Sequence, residues 1–281
     1  MSNEGSNPKE INTEYDFWEK NNGVIHSRKG GWIIGKGVIN QGYDMMKDFV
    51  GKLSYEQVSV FNATGRLPSR ELADWIEAVR ICLSWPDPRI WCNHIGALGG
   101  SARASTLAST ASGILATDSK MYGIKPIIGG VSFIRDAKTL VEEGKEISEV
   151  LEVLSLWQGG KPKMMGYARP IAKGDERIPA MERTRKNLGL EMGPCLKLAF
   201  EIDRHMQAKY DESMNINGYV AAFLSDHDFT GEEVYRIYVT AVASGVTACC
   251  IDAYDKPAGN FLPLKCDDVL YAGEKFRVVP N

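Results

Sequence analysis

Between Arg103 and Asp118 the chain carries no charged residue. Over Ser101 to Gly130, SARASTLASTASGILATDSKMYGIKPIIGG, the residues Ala, Ser, Thr and Gly crowd out most large side chains. So little bulk lets neighbouring backbones approach closely. The stretch predicts a central helix around which others pack, closed by the Lys125-Pro126 break and the Gly129-Gly130 pair. The end of that helix is where chemistry is expected.

The remaining elements follow from caps and periodicity. Met1 to Gly23, rich in Asn, Glu, Lys and Gly, reads as a mobile tail extending to about residue 26, and Ser27 to Gly42, with its glycines and β-branched residues, as a hairpin or arm. Two short helices follow, Tyr43 to Gly51 and Ser54 to Thr64, the second opening on a Ser54/Gln57 capping box and closing at Gly65. Ser69 caps a helix in which Leu72, Ile76, Val79 and Leu83 share a face, and Trp85-Pro86-Asp87-Pro88 stops it. Trp91 to Gly100 is a glycine-interrupted connection holding His94. Beyond Gly130, helices are expected over Val131 to Glu142 and Ile147 to Leu156. Gly159 to Thr184 is a Gly-, Pro- and Lys-rich segment with little regular structure, and loops of that length inside a compact domain tend to be functional. Helices resume over Leu188 to Tyr210, Asn217 to Leu224 and Glu232 to Asp255, and Pro257 to Asn281 is a loop or arm. No sheet is expected, so the fold class is all-α.

Composition removes several function classes. With 281 residues, 44% hydrophobic and 25% charged, the chain can bury a real core as one large domain or two unequal ones. A net charge of −3 offers no basic field for nucleic acid and no polybasic patch for a membrane, which leaves a small molecule or another protein as partner. The six cysteines, Cys82, Cys92, Cys195, Cys249, Cys250 and Cys266, are scattered without a CxxC unit, as in reduced thiols, and no metal site is expected. No run reads as a membrane span and the polar, acidic start is no signal sequence, so a cytoplasmic location is expected.

A series of short motifs then resembles the citrate synthase superfamily. QGYDM (Gln41 to Met45), LSYEQV (Leu53 to Val58) and TGRLP (Thr64 to Pro68) are similar to that family's RGYDI, SxEEV and xGxLP in order and spacing. KPIIGG resembles its GPxHGG, GYAR…GDER its GYGHR…DPR loop, and NINGY (Asn215 to Tyr219) its NVD strip. The resemblance runs from about Gly42 to Gly273, and the length is nearer that of the short citryl-CoA lyase-like members. It implies a helical fold with a large domain, residues 27–130 and 226–281, and a small one, residues 131–225, with a cleft between them that closes on substrate. It also implies a homodimer and C–C bond formation or cleavage between a coenzyme A thioester and a carboxylic acid, with coenzyme A as substrate and no tightly bound cofactor.

At the positions of the family's catalytic residues the resemblance places different side chains. Ile128 stands before Gly129-Gly130 where a histidine belongs, and it can neither donate nor accept a hydrogen bond. Anchoring the loop on Gly166-Tyr167 puts Arg169 at the second histidine, whereas anchoring on Asp175-x-Arg177 puts Ala168 there. Asn217 falls on the aspartate that serves as base, and a carboxamide has no basic site near neutral pH. Arg177 matches a carboxylate-binding arginine and His94 lies within about one position of an acceptor-binding histidine, while Val242 replaces another arginine. The expected catalytic group is thus Arg169, Asn217 and His94, with Arg177, Ile128, Ala168, Tyr167 and Gly129 lining the substrate. Each has a plainer reading. Arg169 clamps a carboxylate or phosphate, or pairs with Asp175 or Glu176; Asn217 contacts a ligand or caps a helix; His94 is a packed or capped residue. Asp226, His227 and Asp228 read as a solvated turn, and Cys249-Cys250 as core.

Overall fold

The structure, a computed structural model, describes residues 13–169, 173–259 and 270–280. The all-α expectation holds in the main: twelve α-helices, one π-helical turn and five short strands are the regular elements among the described residues. Helix α1 (Thr13–Asn21) occupies part of the segment expected to be a tail; the residues before it lie outside those described. Strands β1 (Gly30–Ile33) and β2 (Gly37–Asn40) form the expected hairpin, and β3 (Tyr43–Asp44) extends it antiparallel, with Ile39 opposite Asp44. Tyr43 to Gly51 is therefore no α-helix. It is a strand end followed by a single π-helical turn, Met45–Phe49, whose first amides are held by the Asp44 carboxylate.

Helix α2 (Tyr55–Thr64) carries the full Ser54/Gln57 capping box and ends on left-handed Gly65, and Ser69 caps α3 (Arg70–Leu83), both as the sequence predicts. The small-residue region departs from expectation. Trp91 to Gly100 is the helix α4 (Trp91–Ser101), and a second helix, α5 (Thr106–Ala116), follows a break at Arg103, whose φ is +61°. Ser105 restarts the chain by accepting from the Ala108 amide. Glycine reads as a breaker in sequence, but in α4 it makes room: a Cβ at Gly96 would stand 2.6 Å from a Val246 methyl, and one at Gly100 would collide with the Cys250 carbonyl. The close-packed helix thus exists, one element earlier than its bulk-poor signature suggests, and α5 and α12 (Ala243–Tyr254) press against it. Pro126 likewise opens a helix, α6 (Ile127–Glu142), because a residue lacking an amide hydrogen suits a first turn.

Helix α7 (Ile147–Leu154) is followed by a hairpin of β4 (Leu156–Gln158) and β5 (Lys161–Lys163), and then by α8 (Arg177–Asn187), so the long loop holds more regular structure than expected. Helix α9 (Pro194–Tyr210) begins six residues later than Leu188. Its first amides, Cys195 and Leu196, donate to Asp226 at 2.8 and 3.0 Å, so that carboxylate is a cap and not a solvated turn residue. Helix α10 (Ile216–Asp226) starts on Asn215, α11 (Gly231–Tyr238) on the Thr230/Glu233 capping box.

The last long helix of the sequence reading is two, α11 and α12, separated by turns over 239–242. The stretch Gly231–Tyr254 is long and apolar enough, by length and composition, to cross a membrane, which corrects the expectation that no run is; half of its apolar window is buried inside the molecule. The main core gathers α2, α3 and α6 to α11 around Trp75, Tyr219 and Phe223, with Trp75 stacked 3.9 Å from Phe223. Burying such aromatic area is the dominant stabilising contribution. Cys92, Cys249 and Cys250 are buried beside α4 and α12, and among the described residues no His, Cys, Asp or Glu group forms a metal cluster. Cys266 lies outside the described residues.

Candidate functional site

Helix α10 is the element that draws the candidate residues together. Asn215, at its N-cap, accepts from the Asn217 and Gly218 amides at 2.9 and 3.3 Å and donates through Nδ2 to the Ala168 carbonyl at 2.8 Å. Its own amide donates to Gly166, and Ala168 donates to Ser213, so the loop 166–168 is laced backbone-to-backbone onto the start of α10. The fit is tight enough to demand two glycines. Gly166 has φ +94° and a Cβ there would lie 2.6 Å from Gly218 Cα, while a Cβ on Gly218 would collide with the Gly166 carbonyl. Ala168 itself is held at φ +70°. Tyr167 turns inward, is buried, and donates to the Ala199 carbonyl at 3.1 Å; burial pushes its hydroxyl pKa up, so it stays protonated.

The start of α6 closes the other side. A Cβ at Gly130 would meet Ala221 at 3.2 Å, Gly129 faces Met165, and Ile128 lies against Gly231 at the start of α11. Asn217 is half-buried and its Nδ2 donates to the Gly123 carbonyl at 3.3 Å, tying α10 to the segment that leads into α6. The capping residue of α10 is Asn215 and not Asn217, which sits in the first turn.

Two adjacent carboxylates complete the site. Asp175, fully buried in its side chain, accepts from Arg177 Nε and Nη2, both at 2.7 Å, and from the Ile216 amide at 2.8 Å, so it joins the start of α8 to the start of α10. Arg169, its side chain 10% exposed, donates from both terminal nitrogens to Glu176 at 2.6 and 3.1 Å, and its Nη1 lies 4.0 Å from Asp175. Hydrogen bonding to Arg169 draws the Glu176 carboxyl down to about 2, and the same bonds raise Arg169. The positive ends of α8 and α10 thus meet beside Arg169 and Arg177, an arrangement suited to an anion.

Six of the eight expected site residues are brought near one another: Gly129, Tyr167, Ala168, Arg169, Arg177 and Asn217; Ile128 packs instead against Gly231 at the start of α11. His94 stands apart on the exposed side of α4, with Nδ1 3.2 Å from the Pro88 carbonyl, and the main neighbours of α4 are α5 and α12. In the sequence Asp175 stands as a spacing marker and as a candidate partner of Arg169, and Asn215 only as part of a strip; the Arg169–Glu176 pair is the one of those two pairings that forms hydrogen bonds. The signal for Asp175 was its i, i+2 spacing to Arg177, which permits a bidentate pair on one turn. Asn215 had an N-cap signature, Asn ahead of an apolar run.

No protein-family model matches the chain, and no curated protein matches its sequence. Solved structures do. Citryl-CoA lyase from Hydrogenobacter thermophilus superposes with a TM-score of 0.75 at 19% identity, over 92% of this chain and 98% of that one. ATP citrate lyase from Methanothrix soehngenii, solved with citrate and coenzyme A, gives 0.73 at 14% identity over 98% of this chain and 47% of that one. Citrate synthase from Pyrobaculum aerophilum gives 0.61 at 16% identity over 81% and 55%. Element order, helix content and near end-to-end superposition on the lyase agree with the motif series read along the sequence, and the chain has the citrate synthase-like fold.

Proposed function

We propose that the protein binds an acyl-CoA thioester or a small carboxylic acid at the junction of α6, α8 and α10 and acts on it in the C–C bond forming or cleaving class, with residues that differ from the usual catalytic set. The observation that supports this reading is the lacing of Gly166 to Ala168 onto Asn215 to Gly218, with Gly129 against Met165 and Gly130 against Ala221, since the family motifs assign catalysis to these three segments. In this reading Arg169 and Arg177 bind and polarise carboxylate or thioester oxygen. Asn217 orients through hydrogen bonds, Ile128 and Gly129 shape the apolar wall, and Tyr167 and Ala168 fix the loop. The large domain, residues 27–130 and 226–281, and the small domain, residues 131–225, close over the ligand, and coenzyme A enters as substrate.

A homodimer belongs to the same proposal. Helix α5 carries no charge and leaves Leu107 and Leu115, 80% and 75% exposed, on the face turned away from α4, and a helix apolar on both faces is suited to burial on both sides.

Purified protein mixed with a panel of acyl-CoA thioesters and 2-oxo acids, with thiol release and binding heat as readouts, tests the reading. Saturable binding of a thioester or carboxylate is expected, with turnover of some pair that Arg169→Ala abolishes. Acetyl-CoA with oxaloacetate should react very slowly, because Asn217 cannot remove an α-proton. Brisk citrate formation would disprove the assigned role of Asn217, and absence of binding to every member would end the proposal. A second reading, a non-catalytic paralogue that senses a ligand or partners an active relative, is favoured by the pairing of both arginines with the protein's own carboxylates. Binding without any turnover would select it.

A further inference from the structure

Arg169 and Arg177 are both engaged by carboxylates of this chain, but the two carboxylates are not equally able to leave. Asp175 is fully buried in its side chain and is fixed by the Ile216 amide as well as by Arg177. Glu176 is 61% exposed in its side chain, and among the described residues its carboxylate has Arg169 as its one side-chain partner. Arg169 is the reverse: nearly buried, with a Gly174 carbonyl at 3.4 Å and the Asp175 carboxylate at 4.0 Å as its other neighbours. Asp175 stays 4.0 Å from Arg169 as a residual counterion, so Glu176 can swing into solvent part of the time, and an anion that takes the vacated place keeps it there. The two near-parallel N–H···O contacts define what fits: a planar carboxylate received end-on.

We propose that Glu176 is a built-in occupant of the Arg169 fork, holding the place of a ligand carboxylate until one displaces it. This rests on the reading of Arg169 as a ligand-binding group and goes beyond it in two ways. It assigns the fork to the free carboxylic acid and not to the coenzyme A portion of a substrate, and it makes Glu176 a residue that sets affinity without touching the bound ligand. A competing internal carboxylate lowers apparent affinity by the fraction of time the fork is open. For a half-exposed ion pair of ordinary strength that fraction is about one fifth.

The test is calorimetric titration of the full-length protein with citrate and with oxaloacetate, comparing wild type, Glu176→Ala, Arg169→Ala and the double variant, with circular dichroism confirming that each is folded. Glu176→Ala is expected to bind the acid about fivefold more tightly than wild type. Arg169→Ala should lose at least tenfold, and adding Glu176→Ala to it should restore nothing. Equal or weaker binding by Glu176→Ala, where wild type binds, overturns the place-holder while leaving the functional reading intact. If no variant binds either acid, the place-holder falls; retained binding of an acyl-CoA thioester would then show that the functional reading survives it.

Discussion

Asp175 and Glu176 differ by one residue in position and one methylene in length, and each grips an arginine with both oxygens. Asp175 is buried, where its oxygens also take the Arg177 and Ile216 amides, and it connects two helix starts. Glu176 is mostly exposed, and among the described residues Arg169 is the one side chain it hydrogen-bonds. The same chemical pair is thus a fastener in one case and a releasable contact in the other, and what separates them is burial. Removing one partner of a buried pair strands the other charge, whereas an exposed pair exchanges readily with water.

The largest effect should come from the fastener. Asp175→Ala leaves Arg177 without its counterion and Ile216 without its acceptor, and is expected to cost about 3–5 kcal/mol in urea denaturation. If it costs no more than Glu176→Ala, the distinction between the two carboxylates is wrong. Gly218→Ala comes next. Its new Cβ must displace the Gly166 carbonyl, an obstacle of backbone and not of a flexible side chain, and about 2–3 kcal/mol is the expected loss by the same measurement. Since the loop 166–168 is held at that crossing, the variant should also weaken ligand binding. A variant that unfolds more easily yet binds unchanged would show that the loop is positioned from elsewhere.

How far these contacts could be read in advance differs between them for a physical reason. Local signals came through: the capping box at Ser54, the Ser69 cap and the hairpin before Gly42 depend on neighbours within a few residues. Signals that depend on distant partners were misjudged. The glycines of α4 look like breaks until α12 is placed against them, and Asp226 looks solvated until the first turn of α9 arrives. Pro126 reads as a helix end and stands at a helix start, because proline ends one helix as readily as it opens another. At the site, the motif series identified which segments carry candidate residues, but spacing along a chain cannot say that Asp175 is buried and Glu176 is not, because both follow the same Gly174 turn.

Asn215→Ala probes the fastened side more gently. It removes the acceptor for the Asn217 and Gly218 amides and the donor to Ala168, for an expected loss of about 1 kcal/mol. Restoration by Asp should be partial, since a carboxylate can cap α10 but cannot donate to the Ala168 carbonyl.

The smallest effect is expected at Glu176, and its pH dependence carries the information. In the folded protein the carboxyl is drawn to about 2 from its ordinary 4.5 by Arg169. A depressed carboxylate stabilises the fold above its ordinary value, and the contribution disappears as pH falls through the folded value. Wild type should therefore lose stability relative to Glu176→Gln between about pH 4.5 and pH 2, and the two should differ by a constant amount above that window. Because the side chain is mostly exposed, solvent screens the pair and the constant should be under about 1 kcal/mol. Added salt should shrink it further, whereas the Asp175 effect should barely respond, since buried charges are poorly screened. A salt-insensitive Glu176 contribution would mean that the pair is not released at all, and the contrast with Asp175 would reduce to one of degree.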